Sequence, residues 1–314
     1  MRRGWCPTVH EPMPTGDGLL LRIKPPRGRL GSDQARLIAA LAARDGNGIV
    51  ELTARGNLQL RGVRTPGRVA AMLVEAGLAH TDSGAERRRN IVVSPLAAHD
   101  PDAAPGTLAL AAQVEALLIA ADGLPPKFCI AIDGGGILPL GYEGDVTLSL
   151  RIPPLPSGIP AQAEGQVVPV GFHPYRGAAR GAFGLALPFG ESDAAALRLL
   201  ADLADRCSDG ILCLGPRRTV LLGAVRDPAA IRERAGGLIA DPSDPRLRVH
   251  ACIGSRGCAS GSVDARRDAA RLARVPFEGT LHVSGCAKGC AHPRPATLTL
   301  VGENGGYRAV RAAA

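Results

Sequence analysis

Gly48-Ile-Val-Glu-Leu-Thr-Ala-Arg55-Gly-Asn-Leu-Gln-Leu-Arg-Gly-Val63 aligns without a gap on Gly210-Ile-Leu-Cys-Leu-Gly-Pro-Arg217-Arg-Thr-Val-Leu-Leu-Gly-Ala-Val225. In both copies apolar residues alternate on either side of a turn that carries an arginine. That period of two predicts a half-buried hairpin. A helix is expected before each copy. The first, N-capped by Ser32 or Asp33, runs through Leu37, Ile38 and Leu41 and stops near Gly46. The second, N-capped by Ser192, runs through Leu197, Leu200 and Leu203. A strand precedes each helix, Leu19 to Ile23 in one half and Phe183 to Leu187 in the other. Strand, helix and hairpin therefore occur twice, which predicts a duplicated α/β (or α+β) fold whose halves pair about a pseudo-two-fold axis.

A second region follows each unit. In the first half it holds a helix near Arg68 to Ala76, the run Arg87-Arg-Arg-Asn-Ile-Val-Val, a helix from Leu108 to Ala121, and Lys127-Phe-Cys-Ile-Ala-Ile-Asp133. In the second it holds Leu247 to Cys252, a helix from Asp264 to Ala273, and Thr280 to Cys286. The element order matches. The proline-rich stretch from Arg151 to Gln166 reads as the linker between halves.

The 314 residues suffice for such an assembly, and 46% apolar content supports an ordinary core. No run of eighteen apolar residues appears, so no transmembrane helix and no membrane partner are expected. The opening Met1-Arg2-Arg3-Gly4-Trp5-Cys6-Pro7 has no apolar run behind it, so a cytoplasmic protein is expected. The net charge of +8 suits an acidic partner. Aromatics make up only 3%, and no basic block is interleaved with them, which argues against nucleic acid. Lysine occurs only at Lys24, Lys127 and Lys288; the remaining cations are arginines.

Eight cysteines in a cytoplasmic chain predict metal or catalytic use where they cluster. Cys252 and Cys258 have five residues between them; Cys286 and Cys290 have three. Four thiolates on two glycine-containing loops suit a 4Fe-4S cubane, which takes one sulfur ligand per iron. Zinc is the rival, although structural zinc pairs usually sit on tighter knuckles. Cys207 and Cys213 have the same five-residue gap but no second pair, and read as buried, inert thiols.

Basic residues fall at strand ends. Arg22 closes the first strand, Arg55 sits on the first hairpin turn with Gln59 four residues on, Arg89 and Asn90 open a strand, and Lys127 opens another. In a duplicated fold these ends can converge on one cleft, where guanidinium groups match carboxylates bidentately and a lysine adds a compact proton donor. The alternative for each is a solvated surface charge.

These motifs, in order, resemble the sulfite/nitrite reductase superfamily and, within it, the precorrin-3B synthase family. The resemblance rests on Arg3 to Pro7, Thr15-Gly-Asp-Gly-Leu-Leu-Leu-Arg22, Leu52-Thr-Ala-Arg-Gly-Asn-Leu-Gln59, Arg89-Asn-Ile91, Leu124-Pro-Pro-Lys-Phe128 and the four cysteines. It implies ferredoxin-like halves at 1–80 and 157–240, a tetrapyrrole-site half without a cluster at 81–156, and a cluster-binding half at 241–314. It implies a 4Fe-4S cluster on Cys252, Cys258, Cys286 and Cys290, with Cys290 the residue that bridges cluster and sirohaem iron in the reductases. Arg22, Arg55, Gln59, Arg89, Asn90 and Lys127 would line the tetrapyrrole face, with Lys127, Arg55 and Arg89 at the chemistry.

The chain departs from the reductase pattern. Reductases carry a second lysine two places after Lys127, where this chain has Cys129. They carry an arginine four places before Arg55, where it has Glu51. An asparagine common between the last two cysteines is replaced by Lys288. The precorrin-3B synthases accommodate these departures. That family implies dioxygen-dependent hydroxylation of precorrin-3A with lactone formation, in aerobic cobalamin biosynthesis. It is associated with a cluster and a mononuclear non-haem iron, for which His10, His173, His250, His282 and His292 are candidate ligands. Electrons would come from NADH through a reductase or from a ferredoxin, since Asp133-Gly-Gly-Gly136 lacks the dinucleotide spacing. Two alternatives stand beside it: a sirohaem-dependent sulfite or nitrite reductase, and a cluster-bearing electron-transfer or tetrapyrrole-carrier protein.

Overall fold

The structure is a computed structural model that describes residues 6–150 and 169–311, apart from Pro126, Pro139 and Pro293. The expected linker and the residues before Cys6 lie outside the described residues. The first half runs β1 (Met13–Thr15), β2 (Gly18–Ile23), β3 (Arg29–Gly31), α1 (Ser32–Asp45), β4 (Ile49–Leu52), β5 (Leu58–Val63), α2 (Pro66–Glu75), α3 (Ser83–Arg88), β6 (Ile91–Val93), α4 (Thr107–Ala120), β7 (Ile130–Asp133) and β8 (Val146–Ser149). The second runs β9 (Gly171–Pro174), β10 (Gly181–Ala186), β11 (Glu191–Asp193), α5 (Ala194–Cys207), β12 (Ile211–Gly215), β13 (Thr219–Val225), α6 (Pro228–Arg234), β14 (Val249–Ala251), α7 (Ala265–Leu272), β15 (Leu281–Ser284), β16 (Leu298–Glu303) and β17 (Gly306–Arg311).

Both predicted hairpins form, β4 with β5 and β12 with β13. The repeat extends to backbone detail. Arg27 (φ 53°) and Gly28 turn the chain into β3, as Phe189 (φ 57°) and Gly190 turn it into β11. The halves then exchange strands. β3 pairs antiparallel with β12 of the other half, Leu30 opposite Leu212, and β11 pairs with β4, Ser192 opposite Val50. The resulting sheets have orders β1-β2-β5-β4-β11 and β3-β12-β13-β10-β9. Each half thus covers an edge that would otherwise expose unpaired amides. Separating the halves would break both sheets. One continuous core runs through them, from Leu21, Ile38 and Leu60 to Phe183, Leu200 and Leu222.

The exchange also corrects the expected helix caps. Both short strands run directly into their helices, so each cap lies at the junction. Gly31 caps α1, its N–H donating to Gln34 Oε1 at 2.9 Å. Asp193 caps α5, accepting from the Ala196 N–H at 2.7 Å. Ser32 lies inside the first helix, and Ser192 is committed to the ladder with Val50.

The second regions match in topology. β6, β7 and β8 pair in parallel with α4 as the crossover; β14, β15 and β16 do the same with α7, and β17 adds an antiparallel edge. Among the described residues no helix is long and apolar enough to cross a membrane.

Candidate cluster and tetrapyrrole site

β14 and β15 are parallel neighbours, with Ala251 opposite Val283, so the loops leaving their carboxyl ends start side by side. One carries Cys252 and Cys258, the other Cys286 and Cys290. Ligands commonly gather beyond such strand ends. The loops meet backbone to backbone: the Gly285 N–H donates to Cys252 Sγ at 3.1 Å, and a Cβ on Gly285 would stand 2.8 Å from Gly254 Cα. A side chain there would push the loops apart. Burial raises the Cys290 thiol, and Cys286, Cys252 and Cys258 raise it further, so the four sulfurs share one electrostatic neighbourhood. Among the described residues no three His, Cys, Asp or Glu side chains close on a single-ion point. A lone tetrahedral zinc at about 2.3 Å from each sulfur requires such closure. A cubane takes one thiolate per iron, more widely spaced, and gains from backbone N–H groups aimed at sulfur. The donor set and the Gly285 amide fit a cubane.

The first cysteine loop is held by a buried ion network reaching into the first half. Arg61 donates to Asp17 Oδ1 and Oδ2 at 2.9 Å each, to Glu51 Oε2 at 3.1 Å, and to the Gly257 carbonyl at 2.7 Å. Arg266 bridges Glu51 and Glu191, and Arg256 donates to Glu191 at 3.0 Å. Burial would raise the Glu51 carboxyl, but Arg266 and Arg61 together hold it below the usual carboxylate range. Glu51, which departs from the reductase pattern, is therefore the hub that ties the hairpin strand β4 to the cysteine half.

Some of the expected basic residues gather at a small pocket where the halves touch. The Arg55 turn packs against the other half: Gly56 (φ 70°) would place a Cβ 2.8 Å from the Leu214 carbonyl, so only glycine lets the turn approach. Lys24, Arg55, Arg89, Asn57 and Leu214 line one small pocket. Arg22 stands opposite Gln59 across β2 and β5. The Gln59 amide, oriented by its partners, accepts from Arg22 Nη2 at 2.8 Å and donates to Glu51 Oε2 at 3.1 Å. Arg55 lies 5.9 Å from the Tyr142 ring centroid. The Tyr142 hydroxyl donates to the buried Cys129 thiol at 3.9 Å, and burial pushes the phenol up to about 12.

The expected cleft residues do not all face outward. Arg89 is only 7% exposed and spends its donors internally, on Glu86 at 2.7 Å, Glu115 at 3.0 Å and the Lys24 carbonyl at 3.1 Å. Its expected role as a freely presented carboxylate anchor does not suit that placement. Asn90 donates to the Arg87 carbonyl at 3.0 Å. Lys127 is exposed on the turn before Cys129.

Sequence reasoning gave no site role to Lys24 or Tyr142; it had placed Cys129 where the reductases carry a second lysine. Lys24 is 6% exposed, donates to the Glu86 and Arg87 carbonyls, and is pulled down by burial to about 8. Cys6 lies against Arg22. The scarcity of lysine was the one available signal for Lys24. Of the histidines, His250 and His292 stack with centroids 4.2 Å apart, and His282 meets His292 edge-on at 5.9 Å. His10 bonds the His80 carbonyl at 2.7 Å, and His173 is half-buried on β9. Among the described residues these histidines do not gather with other ligand side chains into a single-ion site. Cys213 is buried beside His99 and pushed up to about 12 by burial, and Cys207 is half-buried at the end of α5.

The family described as Nitrite/Sulfite reductase ferredoxin-like half domain matches residues 11–73. A precorrin-3B synthase from Sinorhizobium sp is 32% identical, over 98% of this chain and 82% of that protein. A ferredoxin–nitrite reductase from Leptolyngbya laminosa is 34% identical, but over only 42% of this chain and 28% of its own length. The solved structure of the Mycobacterium tuberculosis NirA protein superposes with a TM-score of 0.69 at 16% identity, covering 93% of this chain and 73% of that one, which establishes likeness of fold.

Proposed function

Since this chain belongs to the precorrin-3B synthase family, we propose that it hydroxylates precorrin-3A with dioxygen, forming a lactone, and that Cys252, Cys258, Cys286 and Cys290 hold a 4Fe-4S cluster beside the cleft. The convergence of the four thiols on two interlocked glycine loops carries the cluster reading. When bound, the cluster would supply single electrons. NADH through a separate reductase, or a ferredoxin, is the proposed source.

The chain's own residues bind and orient the substrate. A tetrapyrrole bearing several carboxylates meets Arg22 and Arg55, with Lys24 behind them, and each charge-assisted contact contributes about 1.5–3 kcal/mol. Gln59 fixes the Arg22 guanidinium, and the Tyr142 ring supports that of Arg55. Arg89, locked between Glu86 and Glu115, holds the strand end that presents Asn90. Lys127, exposed on the turn before Cys129, would attract the acidic substrate through its ammonium. Cys129 supports this reading over the alternative reaction. Sulfite or nitrite reduction needs protons delivered beside a small oxyanion. Burial raises the Cys129 thiol, keeping it neutral where the reductases carry a second lysine.

Anaerobic reconstitution followed by optical and EPR spectra tests the ligand set. Serine at any of the four cysteines is expected to abolish the cluster signal, and serine at Cys207 or Cys213 to leave it intact. Loss of the signal in the Cys207 variant with retention in the Cys252 variant would overturn the assignment.

A further inference from the structure

The ion network around the cysteine loops does not balance. Asp17, Glu51 and Glu191 supply three carboxylates, and Arg61, Arg266 and Arg256 already use them. A fourth guanidinium, Arg218, stands in the same electrostatic region, within the field of Arg266, Glu51 and Cys252. Among the described residues it forms no ion pair. Its donors go to two carbonyls instead, Phe189 O at 3.1 Å and Ala291 O at 3.2 Å. Ala291 directly follows Cys290.

The placement is built. Arg218 adopts φ 67°, a left-handed conformation that costs an arginine backbone strain. Its stem crosses Gly190, where a Cβ would lie 2.5 Å from Arg218 Cδ. A mostly enclosed cation with only carbonyl partners is costly unless an anion lies close. A cubane with four thiolates is a net anion.

We propose that Arg218 is the counter-cation of the cluster, a positioning residue that clamps the loop after Cys290 and raises the cluster's reduction potential. This rests on the four-cysteine reading above. Reduction adds negative charge to the cluster, so a fixed cation beside it favours the reduced form. Binding the Ala291 carbonyl also restrains the loop whose opening would release iron.

The experiment is an EPR-monitored redox titration of anaerobically reconstituted protein, together with the rate at which an iron chelator bleaches the cluster. Arg218→Met is expected to lower the midpoint potential and to bleach on the order of tenfold faster, the scale of one lost charge-assisted hydrogen bond. Arg218→Lys keeps the charge, so its potential stays near wild type while its bleaching accelerates. Should Arg218→Met fail to fold, Arg218→Gln replaces it. A wild-type potential in the uncharged variant, with the cluster present, overturns the inference and leaves the ligand set standing. Absence of any cluster from wild-type protein overturns the four-cysteine reading and this inference with it.

Discussion

Glu51→Gln tests whether the buried network joins the halves. The carboxylate is 8% exposed and accepts from both Arg61 and Arg266. Removing one member of a buried ion pair costs about 3–5 kcal/mol, because a desolvated charge is left behind. Here glutamine keeps one acceptor, Arg61 retains Asp17, and Arg266 retains Glu191, so about 3 kcal/mol at pH 7 is expected. The pH dependence has a definite sign. The folded Glu51 carboxyl lies below its unfolded value, so its contribution is present above that value and is lost as pH falls through the lowered one. The gap between wild type and variant should stay constant down to about pH 5 and narrow below about pH 4. Urea unfolding at a series of pH values measures this. A loss below about 1 kcal/mol at pH 7, the size of an exposed pair, would refute the network's role.

Arg55→Ala should weaken tetrapyrrole binding by about 1.5–3 kcal/mol with little change in stability, whereas Arg89→Ala should lower stability by about 3–5 kcal/mol by stranding Glu86 and Glu115; binding titrations and urea unfolding of both variants separate the two roles. Lys24, pulled down to about 8, should lose its proton there, so tetrapyrrole affinity falls as pH rises past that point. Stability should move the opposite way from pH 8 toward the ordinary lysine range of about 10.4, because the unfolded chain binds the proton more tightly. Both trends should vanish in Lys24→Met.

The duplication was legible because the hairpins repeat residue for residue, with Arg55 and Arg217 at equivalent turns. The strand exchange was not. β3 and β11 are three residues each, too short for a periodic signal, and their pairing is set by the packing of the other half. That same pairing moved the caps to Gly31 and Asp193. The cysteine loops were readable because the glycines and spacings are local. The cleft was harder: Arg89 and Arg55 look alike in sequence, and only Glu86 and Glu115, brought by α3 and α4, turn one of them inward. Arg218 gave no signal beyond its neighbour Arg217, because its partners, Phe189 and Ala291, lie far from it in the chain.

The most direct test of the account supplies reconstituted protein with precorrin-3A, air and a reduced electron donor, and in parallel with sulfite or nitrite and reduced viologen under anaerobic conditions. Hydroxylated, lactone-bearing product in the first vessel and negligible sulfide or ammonia in the second is the expected result. Sustained sulfite or nitrite reduction, with precorrin-3A unchanged in air, would contradict it.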